Sequence, residues 1–179
     1  MAQPLLEVKD LQIHFNVRNG KLKIINQLDL SFEAGTFLGL VGESGSGKSV
    51  FANALLGYVK QPGEIASGSI VYKGRNILRM SEDELIAEVR GKEIGLIASN
   101  ARAQLNPLLT VGQQLSNVYA AHHQASAKEC KERAIDMLKQ VRINDPERRY
   151  GAYPHELSGG MRQRVMIAMT LINNPDLMI

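Results

Sequence analysis

Apolar and polar residues alternate loosely over residues 5–15 and again over 23–32, with Asn19-Gly20 between them. Period-two alternation predicts half-buried strands, and Asn-Gly predicts the tight turn of a hairpin. The second strand should end near Ala34-Gly35. Residues 37–41 (F-L-G-L-V) are a short apolar run, the pattern of a strand buried on both faces. A glycine-rich stretch follows, and then a helix over 48–58. Residues 61–68 read as a Pro/Gly loop, 69–72 as a short strand, and Lys73-Gly74 as a turn.

The second half changes character. Ser81 with Glu84, Thr110 with Gln113 and Ser126 with Glu129 each have the spacing of a capping box. They predict helices running to about residues 90, 121 and 141. Ala134, Ile135, Leu138 and Val141 give the third an apolar face at helical spacing. Residues 93–97 read as a strand. Asp145-Pro146 starts a short helical turn. Ser158 caps a last helix that ends before Asn174-Pro175, and residues 177–179 begin another strand. The pattern therefore predicts an α/β fold, with a mixed β-sheet core and an α-helical subdomain. We divide the chain into a core over 1–99, a helical subdomain over 100–156, and the last helix with the start of a strand over 157–179.

Composition narrows this only a little. A length of 179 residues suits one domain, or one domain with a subdomain. A net charge of +3 without any Lys/Arg block argues against nucleic acid as a partner. Cys130 is the one cysteine, so no intrachain disulfide can form, and a reducing compartment is expected. No apolar run approaches the roughly 20 residues that span a bilayer. The first residues lack the basic and apolar regions of a secretory signal. The expected location is the cytosol, with any membrane attachment made through a partner.

Two glycine motifs carry the chemistry. The first, Gly42-Glu43-Ser44-Gly45-Ser46-Gly47-Lys48-Ser49, matches G-x-x-x-x-G-K-[ST] between a predicted buried strand and a predicted helix. Its glycines allow successive N–H groups to turn inward as a nest for phosphate oxygens. Lys48 brings a point charge to the β- and γ-phosphates, and Ser49 offers a hydroxyl to Mg²⁺. The second motif is Leu157-Ser158-Gly159-Gly160-Met161, at the start of the last helix. It has free helix-start N–H donors and no side-chain bulk, but no lysine of its own. It has the chemistry of an anion site at a helix start.

Together with the first motif, the longer string over residues 153–168, Y-P-H-E-L-S-G-G-M-R-Q-R-V-M-I-A, resembles the ATP-binding-cassette (ABC) ATPases, a class of P-loop NTPases. The resemblance covers essentially the whole chain. It is nearest to the subunits that energise dipeptide, oligopeptide and nickel importers, in which L-N-P (Leu105–Pro107) and T-V-G-x-Q (from Thr110) lie between the two motifs. It implies ATP and Mg²⁺ as cofactors and transport-coupled ATP hydrolysis as the activity. It implies a second ATPase subunit paired head to tail, so that Ser158 and Gly160 contact the γ-phosphate of ATP on the partner's glycine loop. Integral-membrane permease subunits, and indirectly a solute-binding protein, are the further implied partners. The implied location is the cytoplasmic face of the cell membrane, held peripherally. Phe15 corresponds to the aromatic that stacks on adenine in the family; packing within the sheet core is the other reading.

The chain departs from the family pattern at two places. Residues 97–101 read I-A-S-N-A where relatives read I-F-Q-[DE]-P, so Ser99 stands at the glutamine that reaches Mg²⁺ and the attacking water. The family's L-[LM]-I-A-D-E-P-T and its later histidine lie beyond Ile179, so no catalytic residue is identifiable in this sequence. We therefore expect a fragment or a truncated frame, poorly soluble or marginally folded by itself. The alternatives to an importer ATPase are a cassette that binds ATP without turnover, and a soluble non-transport ABC protein, for instance in phosphonate metabolism. Asp176 is expected to cap a turn rather than bind metal. His122, His123 and His155 are expected to be solvated or loop-bonded. Met161, Met166 and Met169 should pack in the core, and Arg162 and Arg164 should be exposed or make interdomain contacts.

Overall fold

β1 (Leu6–Val17) and β2 (Gly20–Phe32) form the expected antiparallel hairpin, and β1 pairs on its other edge with β3 (Gly63–Tyr72). The short β4 (Arg75–Asn76) completes a four-stranded sheet in the order β2-β1-β3-β4. This is a computed structural model, and it describes residues 3–18, 20–97 and 105–179. Asn19 and the Ser99 segment lie outside the described residues. The chain divides into two compact units, Met1–Ile86 and Ala87–Ile179.

In the first unit the apolar phase of β1 slips by one position. Leu6 and Val8 are buried, and so are Leu11 and Ile13, with Lys9 and Asp10 exposed between the pairs. A single extra residue would turn the second pair outward unless the strand bulged. Asp10 supplies the bulge with φ +46°, its N–H donating to Asp29 Oδ1 at 2.7 Å. On the facing strand Gly68 has φ +96°, and a Cβ there would lie 2.4 Å from the Asp10 carbonyl oxygen. The residues read as a loop over 61–68 are therefore mostly strand: β3 begins at Gly63, and the glycine marks a bulge instead of a turn.

The second correction concerns residues 37–41. They form no strand, and they have no ladder partner among the described residues. Phe37 is 105% exposed and Val41 94%. An apolar run encodes a preference for burial, but a strand exists only where remote segments supply its hydrogen bonds. α1 (Lys48–Ala54) begins where expected and is shorter than expected, closing through Leu55 to Gly57 at φ +67°. The helix opened by Ser81 and Glu84 has its capping box; it is α-helical over Glu82–Glu84 (α2) and continues as a π-helical turn over Leu85–Val89.

The second unit contains a two-stranded parallel sheet of β5 (Ile94–Gly95) and β6 (Leu177–Met178). It also contains α3 (Val111–Ala120), α4 (Ala127–Gln140), α5 (Pro146–Tyr150) and α6 (Gly159–Leu171). Both predicted capping boxes, at Thr110/Gln113 and Ser126/Glu129, are formed. Leu115, Ala134, Leu138, Val165, Ala168 and Ile172 make the centre of its core, all fully buried. Met166 lies in that core, while Met161 and Met169 pack against it half-buried. No helix among the described residues is long and apolar enough to cross a membrane.

Candidate functional site

The two glycine motifs lie in different units, and each has its own geometry. In the first, Gly45 and Gly47 have φ of +84° and +91°, and Gly47 is the residue from which α1 starts. A Cβ at Gly47 would lie 3.1 Å from Ile24 Cγ2 and 3.3 Å from the Ile24 carbonyl oxygen, so both its conformation and its contact with β2 call for glycine. A Cβ at Gly42 would lie 2.7 Å from Ser46 Oγ. The turn is closed by Ser46 N–H donating to the Glu43 carbonyl at 3.2 Å.

Lys48 is folded back over this loop. Its Nζ donates to the carbonyls of Gly42 (2.7 Å) and Glu43 (2.6 Å) and to Ser46 Oγ (3.2 Å). An ammonium has three N–H donors, and here three loop oxygens take them. The charge therefore sits at the centre of the loop, held by neutral acceptors that an anion can displace. Ser44, Gly45 and Ser49 are exposed around it. As second residue of α1, Ser49 has a main-chain N–H without an intrahelical acceptor. A cleft of about 270 Å³ adjoins the loop, lined by Ile24, Gln27, Leu40, Gly47, Lys48 and Phe51.

These features fit a triphosphate: a bulk-free loop, helix-start amides, one ammonium and one hydroxyl. Gly42 to Ser49 would hold the phosphates, and the Ser49 hydroxyl is an oxygen donor suited to Mg²⁺. Phe15 is half-buried in β1, opposite Leu22 on β2 and Gly63 on β3. Its ring covers Gly63 so closely that a Cβ there would lie 2.8 Å from ring carbons. One part of the ring is thus packed in the sheet, and the rest is accessible.

In the second unit, Ser158 caps α6, its Oγ accepting from Met161 N–H at 3.3 Å. Leu157 is buried in the core and anchors the loop, whereas Ser158, Gly159 and Gly160 are exposed. A Cβ on either glycine would meet nothing within 4 Å, and the first turn carries no acidic residue. That surface is open to an anion from outside this unit.

Sequence reasoning missed two supporting side chains. Arg162 Nη1 donates to the carbonyls of Leu157 (2.8 Å) and Pro154 (3.3 Å), so it braces the loop before the cap instead of reaching outward. Its place one turn past Ser158 was the available signal, because helical side chains lean toward the N-terminus. Gln114, 5% exposed, ties down the L-N-P turn. It accepts from Asn106 N–H at 2.9 Å and donates to the carbonyls of Asn106 and Leu109, both at 3.0 Å. A glutamine on the apolar face of α3 was the signal there. Arg164 Nη1 donates to the Arg142 carbonyl at 2.7 Å, a contact within its own unit. His123 stacks on Tyr119 and His155 on Tyr153.

Comparison with known proteins bears on the family of the chain. The family model described as "ABC transporter" matches residues 25–179. The oligopeptide transport ATP-binding protein OppD of Bacillus subtilis is 44% identical over 176 residues, 98% of this chain and 49% of that protein. OppD of Escherichia coli is 44% identical over 178 residues, 99% of this chain and 52% of that protein. The chain thus spans about half the length of the curated relatives it matches. Among solved structures, a dimeric post-hydrolysis state of the ATP-binding cassette MJ0796 bound to ADP and Pi superposes with a TM-score of 0.84. It is 26% identical, and the match covers 97% of this chain and 72% of that one. The helix-start glycine loop, the second serine-glycine cap and these matches together place the chain in the ABC transporter family.

Proposed function

We propose that this chain binds Mg²⁺-ATP at Gly42–Ser49 and forms part of an ATP-hydrolysing subunit that energises a peptide- or nickel-type importer. The observation that carries the reading is the Lys48 ammonium centred on a glycine loop at a helix start. The loop amides and Lys48 orient the phosphates and offset their charge. Ser49 would hold the metal, which when bound neutralises charge developing on the transferred phosphoryl oxygens. Ser158, Gly159 and Gly160 present amides and a hydroxyl to the γ-phosphate of ATP on a second ATPase subunit. Each half lacks what the other has: the first brings the cation, the second a bulk-free cap.

Permease subunits in the membrane are the proposed partners, and the proposed location is its cytoplasmic face. The names of the relatives favour a peptide as cargo. The test is Mg²⁺-dependent phosphate release by the intact subunit in vesicles with its permease. Release that a Gly160→Asp change abolishes is the expected result; release indifferent to that change would refute the paired-site reading.

A second reading, nucleotide binding without turnover, is favoured by Ser99. One hydroxyl on a short stem stands where the family has the longer glutamine. Tight ATP binding with no phosphate release, restored by Ser99→Gln, would select it.

A further inference from the structure

We infer that Arg162 is a positioning residue of the Ser158–Gly160 half-site, holding the cap in register for the terminal phosphate of a nucleotide bound to a second copy or paralogue; this rests on the paired-site reading above.

The loop entering α6 is a tight turn over Pro154–Glu156, in which Tyr153 N–H donates to Glu156 Oε2 at 2.7 Å and Glu156 N–H to the Tyr153 carbonyl at 3.0 Å. Pro154 and Leu157 are buried and fix the loop from below. Above them, the carbonyl oxygens of Pro154 and Leu157 both point at one guanidinium nitrogen, Arg162 Nη1, at 3.3 and 2.8 Å. The backbone closes the same loop: Leu157 N–H donates to Pro154 O at 3.3 Å, and Arg162 N–H to Ser158 O at 3.0 Å. Arg162 thus grips the cap through its main chain and the preceding peptide units through its side chain. The carbonyl of Leu157 belongs to the peptide unit that joins Leu157 to Ser158. Fixing it fixes the plane from which Ser158 departs, and with it the direction of Ser158 Oγ and of the Gly159 and Gly160 amides.

The second consequence is electrostatic. Both acceptors are neutral carbonyls, and Arg162 forms no ion pair among the described residues. The first turn of α6 contains no carboxylate. The guanidinium charge therefore remains uncompensated one turn behind the cap and adds to the positive end of the helix. An anion approaching Gly159 and Gly160 meets a braced backbone and a half-buried cation behind it. Arg164 shares the motif but not this role, since its Nη1 bonds the Arg142 carbonyl elsewhere in the unit.

The experiment measures ATP-dependent pairing of the intact subunit by sedimentation, alongside affinity for a fluorescent ATP analogue at the first glycine loop. Arg162→Ala should leave analogue affinity of the unpaired subunit, measured at dilution, unchanged and weaken pairing about tenfold, the scale of losing a charged hydrogen bond. Arg162→Lys keeps the charge but replaces the planar fork with a point donor, and should fall between. If Arg162→Ala cannot be obtained folded, Arg162→Lys decides. Wild-type pairing by the arginine variants beside lost pairing in Gly160→Asp would overturn the role of Arg162 alone. Wild-type pairing by Gly160→Asp as well would overturn the half-site itself.

Discussion

At the residue scale, two positions carry sharp expectations. Gly112 lies in α3 beneath Tyr150, and a Cβ there would lie 2.3 Å from two ring carbons. The ring is not free to retreat, because its hydroxyl bonds Ser116 Oγ at 3.1 Å. Gly112→Ala should cost about 1–3 kcal/mol by overpacking, despite alanine's better helix propensity. Denaturant melts would check this, and a gain in stability would refute the contact. His122 is the second position. Its pKa is lowered, first by burial, with the Lys92 and His123 charges adding to the shift and a bond to the Ala87 carbonyl opposing it. A histidine depressed below its ordinary 6.5 takes up a proton more readily in the unfolded chain. Its contribution is therefore present above that value and is lost as pH falls below it toward the folded pKa. Stability measured through that window should decline with acid, and His122→Gln should flatten the slope. The residue scale is also where the sequence was most legible. The spacing of glycine, lysine and serine proposed a phosphate loop between a strand and a helix, and of these two the structure has the helix. Arg162 was less legible, since its acceptors are backbone oxygens that no side-chain pattern reveals.

At the scale of elements, legibility followed locality. The capping boxes at Ser81, Thr110 and Ser126 involve groups three residues apart, so the sequence contains the whole interaction. α4 depends on one. Ser126 Oγ accepts from Glu129 N–H at 3.3 Å, and Glu129 Oε2 takes Ser126 N–H at 2.7 Å. Ser126→Ala should cost about 1 kcal/mol. Amide exchange at Glu129 should quicken while exchange deep in α6 stays unchanged; equal protection at Glu129 would contradict the cap. Strands were harder to read. Residues 37–41 have a strand's composition, but their hydrogen bonds would have to come from distant segments. Gly68 looked like a loop signal because the bulge it serves is set by Asp10, on another strand.

For the whole molecule, the proposed function assigns one half-site to each unit. The first unit has Lys48 on its glycine loop and the second the bare cap, and in the proposed reading each takes a partner of the other kind. Family membership favours the proposed pairing, and the resemblance is carried by the strings at residues 42–49 and 153–168. What the strings could not disclose was the state of Lys48, folded onto its own loop with three neutral acceptors. An ammonium so held is ready to exchange loop oxygens for phosphate oxygens, and nucleotide affinity should depend on it. The direct test is equilibrium binding of Mg²⁺-ATP to the intact protein with and without Lys48→Ala, with folding checked by circular dichroism. The account predicts a loss of at least about tenfold, as for removal of a charge-assisted contact. Unchanged affinity in a folded variant would contradict it.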